Sequence, residues 1–199
     1  MNSCIKNYCI KKNRRQRNLK FLSLKTNMLT MKKMLTLLVA IPLLFISCKK
    51  EDRCPYSESG ASASTAERTY LANYLAANSL VAVEHTSGVY YNISEPGTGN
   101  SPSICSNITA KYTGSLIPGG NIFDSTPAGS AGANFTLGEV IVGWQKMLPL
   151  LKRGGKITLY IPPSLAYGNR DVTDRQQPPN VIIPANSYLK FEIELVNVQ

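Results

Sequence analysis

Apolar positions along the chain change their spacing, and the changes mark out its elements. From Thr65 to Leu80, the residues Tyr70, Leu71, Tyr74, Leu75 and Asn78 recur at the spacing of one helical face, with Thr65 placed to cap the start and Glu67 in the first turn. The aromatic stripe of this helix predicts packing against the body that follows rather than a cofactor contact. Beyond it the period falls to two. Ile104, Ile108, Ala110, Tyr112 and Leu116 share one side of a strand, and Cys105, Asn107, Thr109, Lys111 and Thr113 share the other, which turns Tyr112 inward. Ile157, Leu159 and Ile161 alternate with Lys156, Thr158 and Tyr160, and Leu189, Phe191, Ile193 and Leu195 alternate with Lys190, Glu192 and Glu194. These read as antiparallel strands, dry on one face and wet on the other. Between them, Val140 to Leu151 returns to helical spacing through Ile141, Trp144, Met147 and Leu148 and stops at Gly154-Gly155. A sheet with one apolar face and a short helix to cover it is an α+β fold.

Charge changes how the front of the chain is read. The net charge of +10 would point to a nucleic-acid or membrane-surface partner if it were spread evenly. It is not. All ten excess cations precede Cys48, where no acidic residue occurs, and from Cys48 onward twelve basic residues meet twelve acidic ones. The basic excess therefore belongs to a targeting segment, and no nucleic-acid partner is expected. Lys32 and Lys33 form a positive head, Met34 to Ile46 is an uncharged apolar run of 13 residues, and Ser47-Cys48 follows. A bilayer-spanning helix needs about 20 apolar residues, so the run reads as a signal peptide over residues 31–47. Phe45-Ile46-Ser47-Cys48 resembles a lipobox, with Phe45 in place of the usual Leu; the resemblance implies that Cys48 is lipidated and becomes the new N-terminus. An ordinary signal peptide with a chance cysteine is the alternative. Residues 1–30 put a second charged stretch ahead of the positive head, which places the start at Met31 or Met28 unless that head is unusually long. After Cys48, residues 48–64 lack apolar periodicity and read as a flexible tether, residues 65–100 as the helix and a first strand, and residues 101–199 as the main domain.

Seven motifs run through that domain in order: Tyr112-Thr-Gly114, Phe123-Asp124-Ser125, Phe135-Thr-Leu-Gly138, Val140-Ile141-Val-Gly143-Trp144, Ile161-Pro-Pro-Ser-Leu-Ala-Tyr167-Gly168, Ile182-Ile183-Pro184 and Phe191-Glu-Ile-Glu-Leu195. Each falls on the element that periodicity assigns it. Together they resemble the FKBP-type peptidyl-prolyl cis/trans isomerases. The resemblance implies a twisted antiparallel sheet wrapped around a short helix, with a proline-binding hollow between them. Tyr112, Phe123, Asp124, Ile141 and Tyr167 would then carry catalysis, and Phe135, Val140, Trp144 and Phe191 would bind substrate, with Trp144 as the floor. The Ile141 backbone N–H and the Tyr167 hydroxyl would fix the neighbouring carbonyl. Asp124 would either act electrostatically near the twisted amide or, as a buried carboxylate in need of a partner, hold Tyr112 in place.

The same resemblance implies proline-containing proteins or peptides as substrates, FK506-like macrolides as further ligands, no cofactor, and a lipid-anchored address in a bacterial envelope. Lys49, which follows the lipidated cysteine, points to the outer membrane, and Lys50-Glu51-Asp52 resembles an export signal for surface lipoproteins. A non-catalytic proline-binding module and a structural lipoprotein with a vestigial pocket are the other readings. Two departures stand out. Ala133 occupies a position where many members carry another aromatic, which predicts a thinner rim, and the polar loop Asn169–Val181 is long enough to overhang the hollow. His85, the single histidine, has no partner in any recognisable motif. Cys54 and Cys105 are the other cysteines after Cys48, and outside the cytoplasm two such thiols tend to pair. Pairing would dock the tether on the domain; two free thiols or pairing between chains are the alternatives.

Overall fold

The computed structural model describes residues 54–199, so Cys48, the stretch 31–47 read as a signal peptide and the upstream segment lie outside the described residues. Helix α1 spans Thr65–Ala77. Strands follow as β1 (Val83–Glu84), β2 (Tyr90–Glu95), β3 (Asn107–Ile117), β4 (Ile122–Ser125) and β5 (Ala133–Thr136). Helix α2 is Val142–Met147, and the chain ends in β6 (Lys156–Ile161), β7 (Val172–Thr173), β8 (Val181–Ile183) and β9 (Tyr188–Val198). All pairings are antiparallel, in the order β1-β2-β6-β9-β3-β4, with β5 also on β3. The long β3–β9 ladder runs from Ile108 opposite Val198 to Ile117 opposite Tyr188.

The alternation of strand residues decides where the core sits. Ile157, Leu159, Ile161, Leu189, Phe191, Ile193 and Leu195 are all buried, with Trp144, Met147, Leu148 and Leu151 from α2 and the turn after it packed among them. Close approach of α2 to the sheet depends on Gly143, where a Cβ would come within 2.7 Å of the Ile161 side chain. The opposite face is not wet throughout. Tyr160, expected on the solvent side, is 4% exposed, because Leu71 and Leu75 of α1 pack on it together with Tyr90 and Ile117. The apolar stripe of α1 thus covers a patch that strand alternation alone leaves open.

Local signals shift by a residue or more. α1 is capped by Ser64 rather than Thr65: the Ser64 hydroxyl accepts the Glu67 N–H, and the Glu67 carboxylate accepts the Ser64 N–H at 2.8 Å, so two orphan donors are satisfied reciprocally. α2 ends at Met147 and not at the glycines, since Leu148-Pro149-Leu150 tightens into a 3-10 turn at a proline that cannot donate to a helical carbonyl. The strand expected to run from Ile104 starts at Asn107, and Cys105 sits in the turn before it.

Cys54 and Cys105 are bonded, with Cα atoms 5.7 Å apart. Residues 54–64 have no regular structure, yet they lie on the body instead of hanging free. The Tyr56 ring covers Gly138 and leaves no room for a Cβ there, the Lys146 ammonium donates to the Ser59 carbonyl at 2.5 Å, and Ala63 is buried. The composition that reads as a tether therefore includes anchor points that only tertiary contacts reveal.

The polar loop after Tyr167 also differs from expectation. β7 and β8 pair into a small hairpin, and the Asp174 carboxylate accepts from the backbone of Gln176 and Asn180 and from the Asn180 amide. An Asx-type cap of this kind orders a turn that hydropathy alone presents as featureless.

Candidate active site

The sheet curls around α2 and leaves a hollow of about 290 Å³, lined by Tyr112, Phe123, Asp124, Phe135, Glu139, Val140, Ile141, Trp144, Tyr167 and Phe191. All nine residues marked from the sequence as the proline hollow meet here. They arrive from seven places: Tyr112 on β3, Phe123 and Asp124 on β4, Phe135 on β5, Val140 and Ile141 at the entry to α2, Trp144 on α2, Tyr167 beyond the Pro163–Leu165 turn, and Phe191 on β9. Neither residues 169–181 nor Ala133, which pairs with Ala110 in the ladder, contribute to the lining.

Trp144 is the hub of the aromatic wall. Tyr112, Phe135 and Phe191 approach it at centroid distances of 5.4, 5.7 and 5.3 Å with interplanar angles of 82°, 77° and 84°, and Phe123 meets Phe191 at 5.6 Å and 84°. Edge-to-face pairs contribute about 0.5–1.5 kcal/mol each beyond their burial, so the four contacts stiffen one another. The Trp144 indole N–H is buried with no hydrogen-bond partner among the described residues. Gly114 makes the wall possible. A Cβ there would lie 2.7–2.8 Å from ring carbons of Phe123 and Phe191, which explains why the Tyr-Thr-Gly motif needs its glycine.

Polar groups are few. The Tyr112 hydroxyl donates to Asp124 Oδ2 at 2.6 Å and ties β3 to β4 across the wall. Asp124 itself is exposed, so its partner is not forced on it by burial. Burial, the Asp124 hydrogen bond and the Asp124 charge all push the Tyr112 phenol well above its ordinary value of 10.0. Burial and the Asp124 charge push Tyr167 in the same direction. Both phenols therefore stay protonated at neutral pH; the Tyr112 hydroxyl donates to Asp124, and the Tyr167 hydroxyl is left able to donate. The Ile141 carbonyl accepts from the Trp144 and Gln145 N–H groups at 2.9 and 3.2 Å, while its own N–H, at the N-terminal cap of α2, meets no backbone acceptor among the described residues.

Two further residues belong to this neighbourhood. Glu139 lines the hollow, and Tyr56 donates its hydroxyl to Glu139 Oε1 at 2.5 Å. Glu139 stands between two of the motifs, and that position is the signal from which it could have been found. Tyr56 lies 83 residues away in the segment read as tether, and sequence spacing offers no pointer to it. His85 lines no part of the hollow; its Nδ1 accepts the Ser87 N–H at 3.1 Å.

Residues 99–196 match the family model described as FKBP-type peptidyl-prolyl cis-trans isomerase. A crystal structure of the peptidyl-prolyl cis-trans isomerase from Pseudomonas syringae pv. tomato is 31% identical, with a TM-score of 0.55, and the match covers 70% of this chain and 99% of that one. This chain belongs to the FKBP-type peptidyl-prolyl cis-trans isomerase family. FkpA of Escherichia coli is 38% identical over 114 residues, 57% of this chain and 39% of FkpA, and its crystal structure superposes with a TM-score of 0.55 over 67% of this chain and 60% of that one. Mip, a peptidyl-prolyl cis-trans isomerase of Coxiella burnetii, is 38% identical over 112 residues, 56% of this chain and 45% of Mip. The chain spans from about two fifths to one half of the length of the curated relatives it matches. The family match begins at residue 99, so Tyr56, Cys54 and α1 lie outside it.

Proposed function

We propose that this protein accelerates cis/trans isomerisation of X–Pro bonds in other proteins, and that the aromatic hollow is where it does so. One observation carries the reading: a largely apolar hollow walled by six aromatic residues, with a donor available at the Ile141 N–H and another at the Tyr167 hydroxyl. Rotation about a peptide bond meets a barrier of about 18–20 kcal/mol because resonance stiffens the C–N bond, and no bond has to break. At the twisted transition state that resonance is lost, and the amide is less polar than in either planar form. A dry aromatic cavity therefore favours the transition state over the ground states. The flat pyrrolidine ring suits the face of Trp144, and the two donors hold the adjacent carbonyl. Asp124 orients Tyr112 through their hydrogen bond, and rotation about the C–N bond asks for no proton transfer because no bond breaks.

NMR exchange spectroscopy on a proline tetrapeptide tests this. Phe123→Ala should lower kcat/KM by more than its effect on the melting transition accounts for. If the variant folds and works like the wild type, the hollow is not the site. Binding without acceleration would hand the reading to a non-catalytic proline-binding module on the same fold. FK506-like macrolides, whose ring would occupy the same cavity, should compete with the peptide.

The address is part of the proposal. Cys48 follows a short apolar run and a lipobox-like sequence, which supports a lipid anchor and clients outside the cytoplasm, at the outer membrane and displayed outward. Cys48→Ala should move the protein out of the membrane fraction; continued sedimentation with membranes would remove the anchor from the account. Protease treatment of intact cells should remove the domain if it faces outward.

A further inference from the structure

Among the described residues, the lining of the hollow carries two carboxylates, Asp124 and Glu139, and no cation. The two are not equivalent. Asp124 is engaged within the wall by the Tyr112 hydroxyl. Glu139 stands exposed at the lip and also borders a second cleft of about 520 Å³, walled by Asn107, Asn134, Thr136 and Gln199 among others. Phe135, Glu139 and Val140 line both, so the polar cleft continues the aromatic hollow. A peptide with proline in the hollow has a track along which its neighbouring residues can run. Among the described residues, Glu139 is the one charged side chain lining that cleft.

Its carboxylate is held in place. The Tyr56 hydroxyl bonds Oε1, the Tyr56 ring lies on Gly138, and the segment carrying Tyr56 is fixed on one side by Cys54–Cys105 and on the other by the Lys146 bond to Ser59. The Gln145 amide braces the same strip from within, donating to the Gly138 and Val140 carbonyls at 3.2 and 2.7 Å. A carboxylate offers about four acceptor sites, and Tyr56 takes one, which leaves Glu139 able to accept from an ammonium or guanidinium group.

We propose that Glu139, positioned by Tyr56, is a specificity-determining residue that favours X–Pro segments carrying Lys or Arg beside the proline over those carrying Glu or Asp. The inference rests on the hollow being the proline site. An exposed ion pair of this kind gives a preference of roughly two- to fivefold. Salt at about 0.5 M should screen most of it.

The test uses two series of proline peptides, one varied on each side of the X–Pro pair, with Lys, Gln or Glu at the varied position and no other difference. For each peptide both Kd and the exchange rate are measured at low and high salt with the purified protein. The expected result is a Lys-to-Glu ratio of at least about two at low salt in one series. Glu139→Gln should bring the ratio toward one, and Tyr56→Phe, which keeps the ring on Gly138, should bring it part of the way. A ratio near one in the wild type, or one unchanged by Glu139→Gln, overturns the proposal, and a ratio unchanged by Tyr56→Phe removes the positioning role. Because Kd is read separately from rate, peptides that bind with the expected preference but are not accelerated would count against the isomerase reading alone.

Discussion

Gly114→Ala adds a single methyl group, and the structure says where it goes. The new Cβ would sit 2.7 Å from the far end of the Phe123 ring and 2.8 Å from an edge of Phe191. Carbon atoms rest at about 3.5–4.0 Å, so each ring edge must retreat by close to 1 Å. Neither can do so freely: Phe191 is 4% exposed and set edge-on against Trp144, and Phe123 is set edge-on against Phe191. Overpacking of this kind typically costs about 1–3 kcal/mol, which in a domain of this size lowers Tm by roughly 3–10 °C. The fold survives such a loss, but the walls of the hollow are no longer where the proline ring needs them. We expect kcat/KM for a proline peptide to fall at least tenfold at a temperature where circular dichroism shows the variant fully folded. Gly60→Ala is the control, because nothing lies within 4 Å of its Cβ. It should change neither quantity. A folded Gly114→Ala protein with wild-type kcat/KM would refute the idea that the Phe123–Phe191 wall sets the activity.

Three further outcomes are expected. Tyr167→Phe removes one hydroxyl and should reduce the isomerisation rate by a factor of about 2–13, one hydrogen bond's worth, with Tm unchanged; a larger loss would mean the hydroxyl does more than hold a carbonyl. Although burial pushes the Glu67 carboxyl up, hydrogen bonds from Ser164 and Ser64 outweigh it and hold the group below its ordinary value of 4.5. Its contribution to stability is therefore present above that value and lost as pH falls through the lowered one. The stability gap between wild type and Glu67→Gln, measured by urea unfolding, should be constant near neutrality and narrow on acidification; a gap that widens in acid would contradict this. Replacing Cys54 and Cys105 together by Ser opens a loop with a sequence separation of 51 and should cost about 2–4 kcal/mol in urea unfolding under non-reducing conditions, whereas an unchanged midpoint would mean the link adds nothing.

How much of this the sequence discloses depends on whether the cause is local. Strand alternation around Leu159, Phe191 and Ile193 reports the core because burial on one face of a sheet imposes a period of two. The aromatic residues of the hollow are legible because they fall within motifs whose order matches the family. Alternation puts Tyr160 on the wet side because what buries it is Leu71 and Leu75, residues of a different element. Tyr56 is hidden for the same reason, since its hydrogen bond to Glu139 spans 83 residues and obeys no local period, whereas Glu139 itself is legible only from its place between two motifs. The glycine stop expected for α2 gave way to Pro149, a stronger helix breaker that acts several residues earlier.

The central claim is that the hollow lowers the barrier to rotation about an X–Pro bond, and the most direct measurement is the cis-to-trans exchange rate of a proline tetrapeptide with the purified protein at a small fraction of the peptide concentration. Unaided, such exchange takes about 10–100 s. The account predicts exchange cross-peaks that grow in linearly with protein concentration at mixing times well below one second, with a rate at least tenfold lower when Gly114→Ala replaces the wild type. Exchange that stays at the uncatalysed rate, while the peptide's resonances shift on binding, would contradict it.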